Sequence, residues 1–219
     1  MEQLYFATKN KGKFISVSNR LSKYDISVVQ LAIDMPEPSD DMQRHGMSAI
    51  NSLLAYKHNP DELEYVSKSK VLYAFEKIGK PVVALDSGCY ITSLEGFPGA
   101  YVNVALKNKD FGLEGILNLI HDKPGACVFH DSFAYFDSIL SEPICFKSKT
   151  EGMLLKSPKG SGEESHWSDL WKAFMPKGYD KTLSEMSEEE LEQWRKTKHD
   201  HFATDFVEWY STIVMDKTN

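Results

Sequence analysis

Three short stretches of this chain hold residues suited to phosphate and hard-cation chemistry. Thr8, Asn10, Lys11 and Lys13 put a hydroxyl, an amide, two ammonium groups and the N–H groups around Gly12 into one polar turn ahead of a helix. Phosphate oxygens are bound by such clusters of donors at helix starts. The spacing is not the G-x-x-x-x-G-K-[ST] loop, so an ordinary polar turn is the alternative. Asp86-Ser87-Gly88 follows the apolar run 82–85. A carboxylate at the end of a buried strand is rigidly placed where a sheet opens into a crevice. Asp86 there either holds magnesium or orients a water, or else caps a loop. Glu37 sits between Pro36 and Pro38, and with Asp86 it makes a hard-ion oxygen pair, whereas alone it is a solvated carboxylate. Lys70, four residues after Val66, borders an apolar helical face; its stem can pack while its ammonium reaches a cleft or stays in water.

Other side chains are ambiguous. Trp167, Trp171 and Phe174 can stack on a base, but core packing is expected of two of the three. His166, His199 and His201 lack metal-ligand spacing. The turn Glu95-Gly96-Phe97-Pro98-Gly99-Ala100-Tyr101 either closes over a ligand or only reverses the chain.

These residues need elements to hold them. A strand is expected over residues 4–7, followed by a helix with Phe14, Val17 and Leu21 on one face. A second strand covers 26–31. A short helix at 48–56 ends at Asn59-Pro60-Asp61, and a longer one carries Leu63, Val66, Val71 and Ile78 inward to Gly79. The run 82–85 reads as a central strand buried on both faces and ending at Asp86. A helix at 111–120 precedes strands at 127–137 and 144–149, paired antiparallel around Ser141-Glu142-Pro143. Residues 156–165 form a loop. Ser187 to Glu190 has capping-box spacing, and a last helix at 200–214 buries Phe202 and Phe206.

Composition narrows the class. With 219 residues, 42% hydrophobic and 26% charged, the chain can bury a large core without disulfides, and disordered or collagen-like classes are excluded. Cys89, Cys127 and Cys145 form no CxxC pair and read as core thiols. No signal-like start and no run of 18 apolar residues occurs, so a cytoplasmic protein without membrane contact is expected. A net charge of −7 argues against a nucleic-acid surface but not against a nucleotide in a basic cleft.

The order of Thr8-Lys9-Asn10-Lys11-Gly12-Lys13-Phe14, Asp34-Met35-Pro36-Glu37, Lys70, the stretch 82–88, the turn 95–101, and Pro176-Lys177-Gly178-Tyr179-Asp180-Lys181-Thr182-Leu183-Ser184-Glu185-Met186 resembles the inosine/xanthosine triphosphate pyrophosphatase, or Ham1-like, family. The first motif resembles its T-x-N-x-x-K opening and the last its P-x-G-Y-x-x-T-x-x-E-M segment. The resemblance implies an α/β fold, with an elongated mixed β-sheet flanked by helices and two lobes around a nucleotide-binding cleft, usually as a homodimer. It implies magnesium-dependent cleavage of a nucleoside triphosphate to the monophosphate and pyrophosphate, members typically acting on deaminated purine nucleotides. Carried over, Thr8, Asn10 and Lys13 bind phosphate, Lys70 is a second phosphate lysine, Glu37 binds the metal, and Asp86 binds metal or activates water. Ser87, Gly88, Trp167, Asp169 and His199 join the substrate contacts.

The departures are equally specific. Leu85 stands where an acidic residue usually precedes the strand-end Asp, and Asn103 where a basic residue is common. The aromatic-Asp-Pro segment is broken, with Trp167 and Asp169 its nearest match. The base-selecting Ser-His-Arg motif reads Lys198-His199-Asp200. The phosphate half is thus kept in kind and the base half rewritten, which implies altered base choice. A catalytically weak nucleotide-binding protein is the second reading, motivated by Leu85. The chain is expected to form a single domain, with residues 39–60 longer than usual for the family.

Overall fold

The computed structural model describes residues 3–35, 49–162, 166–197 and 201–217. Its centre is a seven-stranded mixed sheet. Strand β1 (Leu4–Ala7) lies between β2 (Val28–Leu31) and β3 (Val82–Ile91), parallel to both. From β3 onward the order is antiparallel: β5 (Ala126–Phe136), β6 (Ile144–Leu154) and β7 (Phe174–Pro176), with the short β4 (Pro98–Gly99) paired to the far end of β3.

The helices follow from local chemistry. Helix α1 (Lys11–Leu21) starts where the Asn10 side chain accepts the Lys13 N–H at 2.9 Å, which satisfies one of the orphan donors of a first turn. Helix α2 is Ala49–Ala55. Helix α3 (Asp61–Ile78) has Asp61, Glu62 and Glu64 in its first turn and Lys77 in its last, charges that complement its dipole. It ends at Gly79, which has a left-handed backbone. Its buried residues Leu63, Val66, Ser67, Lys70, Val71 and Ala74 recur at helical spacing and face the sheet. Helices α4 (Val102–Lys107), α5 (Gly112–Leu119), α6 (Glu188–Thr197) and α7 (Phe202–Lys217) are the other α-helices among the described residues. Ser187 and Glu190 exchange the expected capping-box bonds ahead of α6. No helix among the described residues is long and apolar enough to cross a membrane.

Strand alternation sorts side chains between two faces. Even residues of β3 and β5, with odd residues of β6, face α3: the Ser67 and Ser132 hydroxyls meet at 2.8 Å, and Val82, Ala84 and Ala134 pack with Val71 and Ala74. The opposite face carries two larger clusters. One joins Leu4, Phe6, Val17, Val83, Leu85 and Phe133 to Phe202 and Phe206 of α7. The other joins Cys89, Ile91, Phe97 and Cys127 to Leu170, Trp171, Phe174 and Trp194.

The structure corrects three expectations. Strand β3 does not stop at Asp86 but runs on to Ile91, because its antiparallel ladder with β5 continues from Val82↔Phe136 to Ile91↔Cys127. What ends near Asp86 is the parallel neighbour, since β1 pairs with β3 only at Val82 and Val83. The second strand begins at Val28 rather than Ile26, and β6 extends to Leu154. All three cysteines are free; Cys89 and Cys127 are buried, as expected of core thiols, whereas Cys145 is half-buried beside Ser67.

Candidate functional site

The loop after β1 and the middle of β3 meet where β1 ends. Thr8 is buried at the strand's end, its N–H donating to Leu31 O and its Oγ1 accepting the Asn10 N–H at 3.1 Å. Asn10 Nδ2 donates to Trp167 O at 3.0 Å, so its amide caps α1 with one end and holds the 167 segment with the other. Gly12 permits this approach: a Cβ there would lie 3.0 Å from the Trp167 backbone. Lys11 opens α1 and is exposed.

Beyond Val83 the edge of β3 is free of β1, and Lys13 uses it. Its Nζ donates to Leu85 O at 3.3 Å and lies 5.8 Å from the Trp167 ring centroid, within cation–π range. From the other face, Lys70 Nζ donates to Asp86 Oδ1 at 3.1 Å, with side chains only 9% and 14% exposed. Two lysines from different helices are thus tied to consecutive residues of one strand. Leu85 points away from Asp86 into the α7 cluster and is buried there, so strand parity explains an apolar residue at that position.

The remaining candidates divide. Trp171 and Phe174 are buried in a core, as expected for two of the three aromatics, whereas Trp167 is half-buried and touches both clusters. Trp167 and Asp169, with His166, Ser168 and Lys172, line a cavity of about 190 Å³. Asp169 is exposed and ion-paired to Lys172 at 2.8 Å. Gly88 lies under the 95–101 turn, where a Cβ would meet Gly99 O at 2.8 Å. Ser87 Oγ and Trp167 Nε1 are buried without a hydrogen-bond partner among the described residues. Glu37, Lys198, His199, Asp200 and residues 39–48 of the long segment lie outside the described residues.

That segment's described end is fastened to the turn. The buried His58 has no hydrogen-bond partner for Nδ1 among the described residues, while Nε2 bonds Leu53 O at 2.9 Å. Its ring makes edge contacts with Tyr56, Phe97 and Tyr101. Burial holds the His58 pKa below its ordinary value, favouring the neutral ring.

Two groups escaped the sequence reading. Arg20 Nη1 donates to His201 Nδ1 at 2.8 Å and its guanidinium lies 5.9 Å over Phe202; burial, then the charge of Arg195, pushes its pKa down to about 10. Asp131, buried on β5, accepts Ser148 Oγ at 3.1 Å. The sequence signal for Asp131 was a carboxylate in the middle of a strand rich in apolar and aromatic residues.

Residues 4–201 match the family model described as the Ham1 family. The dITP/XTP pyrophosphatase of Methanopyrus kandleri is 29% identical over 213 residues, spanning 97% of this chain and 98% of that protein. The dITP/XTP pyrophosphatase of Pyrococcus horikoshii is 30% identical over 193 residues, spanning 86% and 87%. The Ham1 protein structure from Staphylococcus aureus aligns with a TM-score of 0.67 at 18% identity, over 96% of this chain and 98% of that one, a likeness of fold.

Proposed function

On the premise that the chain belongs to the Ham1 family, we propose that it hydrolyses a nucleoside triphosphate to the monophosphate and pyrophosphate, with a base preference altered from that of inosine and xanthosine nucleotides. The observation that carries the reading is the convergence of Lys13 and Lys70 on consecutive residues of β3, beside Asp86 and the capped loop at Thr8 and Asn10. The relatives' names as dITP/XTP pyrophosphatases support the reaction.

In this reading the triphosphate lies in a cleft between two lobes, at the edge of β3 that β1 leaves free beyond Val83, where Lys13 approaches from one side and Lys70 with Asp86 from the α3 face. Donors of the Thr8 loop and the Lys13 and Lys70 ammonium groups offset the charge that grows on the departing pyrophosphate. Asp86 orients the attacking water and accepts its proton, the Lys70 contact giving way to phosphate on binding. No group of three or more metal-ligating side chains occurs among the described residues. Magnesium bound with phosphates needs only one or two carboxylates, and the part-buried Asp86 carboxylate fits that demand, with Glu37 the expected second ligand. Magnesium would supply charge neutralisation on the bridging oxygens. The reading extends to a homodimer, which sedimentation of the purified chain would test.

The decisive experiment is pyrophosphate release by the purified chain with magnesium across ribo- and deoxyribonucleoside triphosphates, including inosine and xanthosine forms. Pyrophosphate release with a clear base preference is expected. Single-phosphate release, or binding of nucleotide without turnover, would overturn the reading. Lys13→Met is expected to lower kcat/KM about 100-fold, as removal of one donor to developing charge does, with little change in melting temperature. Unchanged kcat/KM would remove Lys13 from the phosphate site.

A further inference from the structure

The two apolar clusters on the α7 face are separated by one polar row across the sheet. Ser87 lies opposite Asp131, and Asp131 opposite Ser148, all three on that face. The flanking rows are apolar or aromatic at their centre, Leu85 beside Phe133 and Phe146 on one side and Cys89 beside Phe129 on the other. Asp131 is 8% exposed and Ser148 3%. A carboxylate is costly in such a place unless its oxygens are hydrogen-bonded or near positive charge. The Ser148 hydroxyl serves Oδ2, one of about four lone-pair sites on a carboxylate. Arg20 contributes charge nearby, yet its guanidinium bonds His201. Asp131 and Ser148 also line a cavity of about 530 Å³ that reaches Asp205 on this side and Asn59, His130 and Lys149 on the other.

Two donors complete the pattern. Ser87 Oγ, beside Asp131 in register, has no partner among the described residues, and neither has Trp167 Nε1. Buried donors and acceptors that a fold leaves unserved are rare in native structures and ask for an occupant.

We propose that the Ser87–Asp131–Ser148 row reads the base, with Asp131 the specificity-determining acceptor for a purine edge that carries an imino N–H beside an amino group, as guanine does. The inference rests on the nucleotide-site reading and names its substrate class. A carboxylate accepts two adjacent N–H groups side by side. Hypoxanthine offers only the imino donor there, and adenine turns a ring-nitrogen lone pair toward the carboxylate. The Ser87 hydroxyl and the Trp167 indole N–H suit the carbonyl and ring-nitrogen acceptors of the same base.

The test is calorimetric binding of GMP, IMP and AMP to the full chain, in wild type and in Asp131→Asn. Asn keeps an acceptor for Ser148 while replacing the other oxygen with a donor. Wild type is expected to bind GMP about 10- to 100-fold tighter than IMP, the size of one charge-assisted hydrogen bond. The variant should bring that ratio to within about 3-fold, and Ser87→Ala should weaken all three ligands. The ratio does not depend on the fraction of protein folded. An unchanged ratio in Asp131→Asn, no preference in wild type, or no binding of any of the three would overturn the inference. Pyrophosphate release without base discrimination refutes this inference alone. GMP selectivity without turnover refutes hydrolysis and leaves the base reading standing.

Discussion

Asp86→Asn is expected to lose about 1,000-fold in kcat with magnesium present, the upper-middle range for removal of a positioned proton acceptor, while remaining folded. The Asn side chain keeps an oxygen for Lys70, so the ammonium, whose side chain is 9% exposed, is not left bare. Asp86→Ala is a different experiment. Removing one partner of a buried pair leaves an uncompensated charge and costs about 3–5 kcal/mol. Loss of activity in that variant would therefore mix misfolding with chemistry. A third protein separates them: Lys70→Met with Asp86→Leu removes both charges, so its melting temperature should return near the wild-type value while turnover stays absent. Stopped kinetics and thermal melts of the three variants decide the matter. Wild-type kcat in Asp86→Asn would end the catalytic assignment, and full recovery of turnover in the double variant would do the same.

Gly99→Ala is expected to lower stability by about 3 kcal/mol, which combines the left-handed backbone penalty with overpacking. Gly99 has φ +57, and a Cβ there would lie 2.6 Å from His58 Nδ1 and 2.9 Å from two further His58 atoms. The ring cannot step aside cheaply, since Tyr56, Phe97 and Tyr101 surround it and Leu53 O holds Nε2. For a chain of this size that cost corresponds to a melting temperature lower by about 6–12 °C. Adding His58→Ala to Gly99→Ala should recover part of the loss, because the space becomes available while the backbone penalty remains. A Gly99→Ala melt within about 2 °C of wild type would show that the 49–60 segment is not locked on this turn.

Much of the scaffold was legible in the chain. The apolar run 82–85, the helical spacing from Leu63 to Ala74 and the capping-box spacing at Ser187 each act within a few residues, so local order reveals them. The segment after Asp86 was misread because continuation of a strand is set by its partner. Ser87, Gly88 and Cys89 stay extended through pairing with residues 129–131, on a strand far along the chain.

The sequence by itself determined the donor-rich loop at Thr8 to Lys13, the candidate carboxylate at Asp86 and the helix that carries Lys70, since each is a matter of residue type and short-range periodicity. Tertiary structure alone decided which side each faces. It set Leu85 into a core and Asp86 against Lys70, brought Trp167 to Asn10 across 157 positions, and aligned Ser87, Asp131 and Ser148 from three strands. The physical reason is that a side chain's face depends on strand parity and register, and register is fixed by pairing and packing between distant segments rather than by the residues on either side.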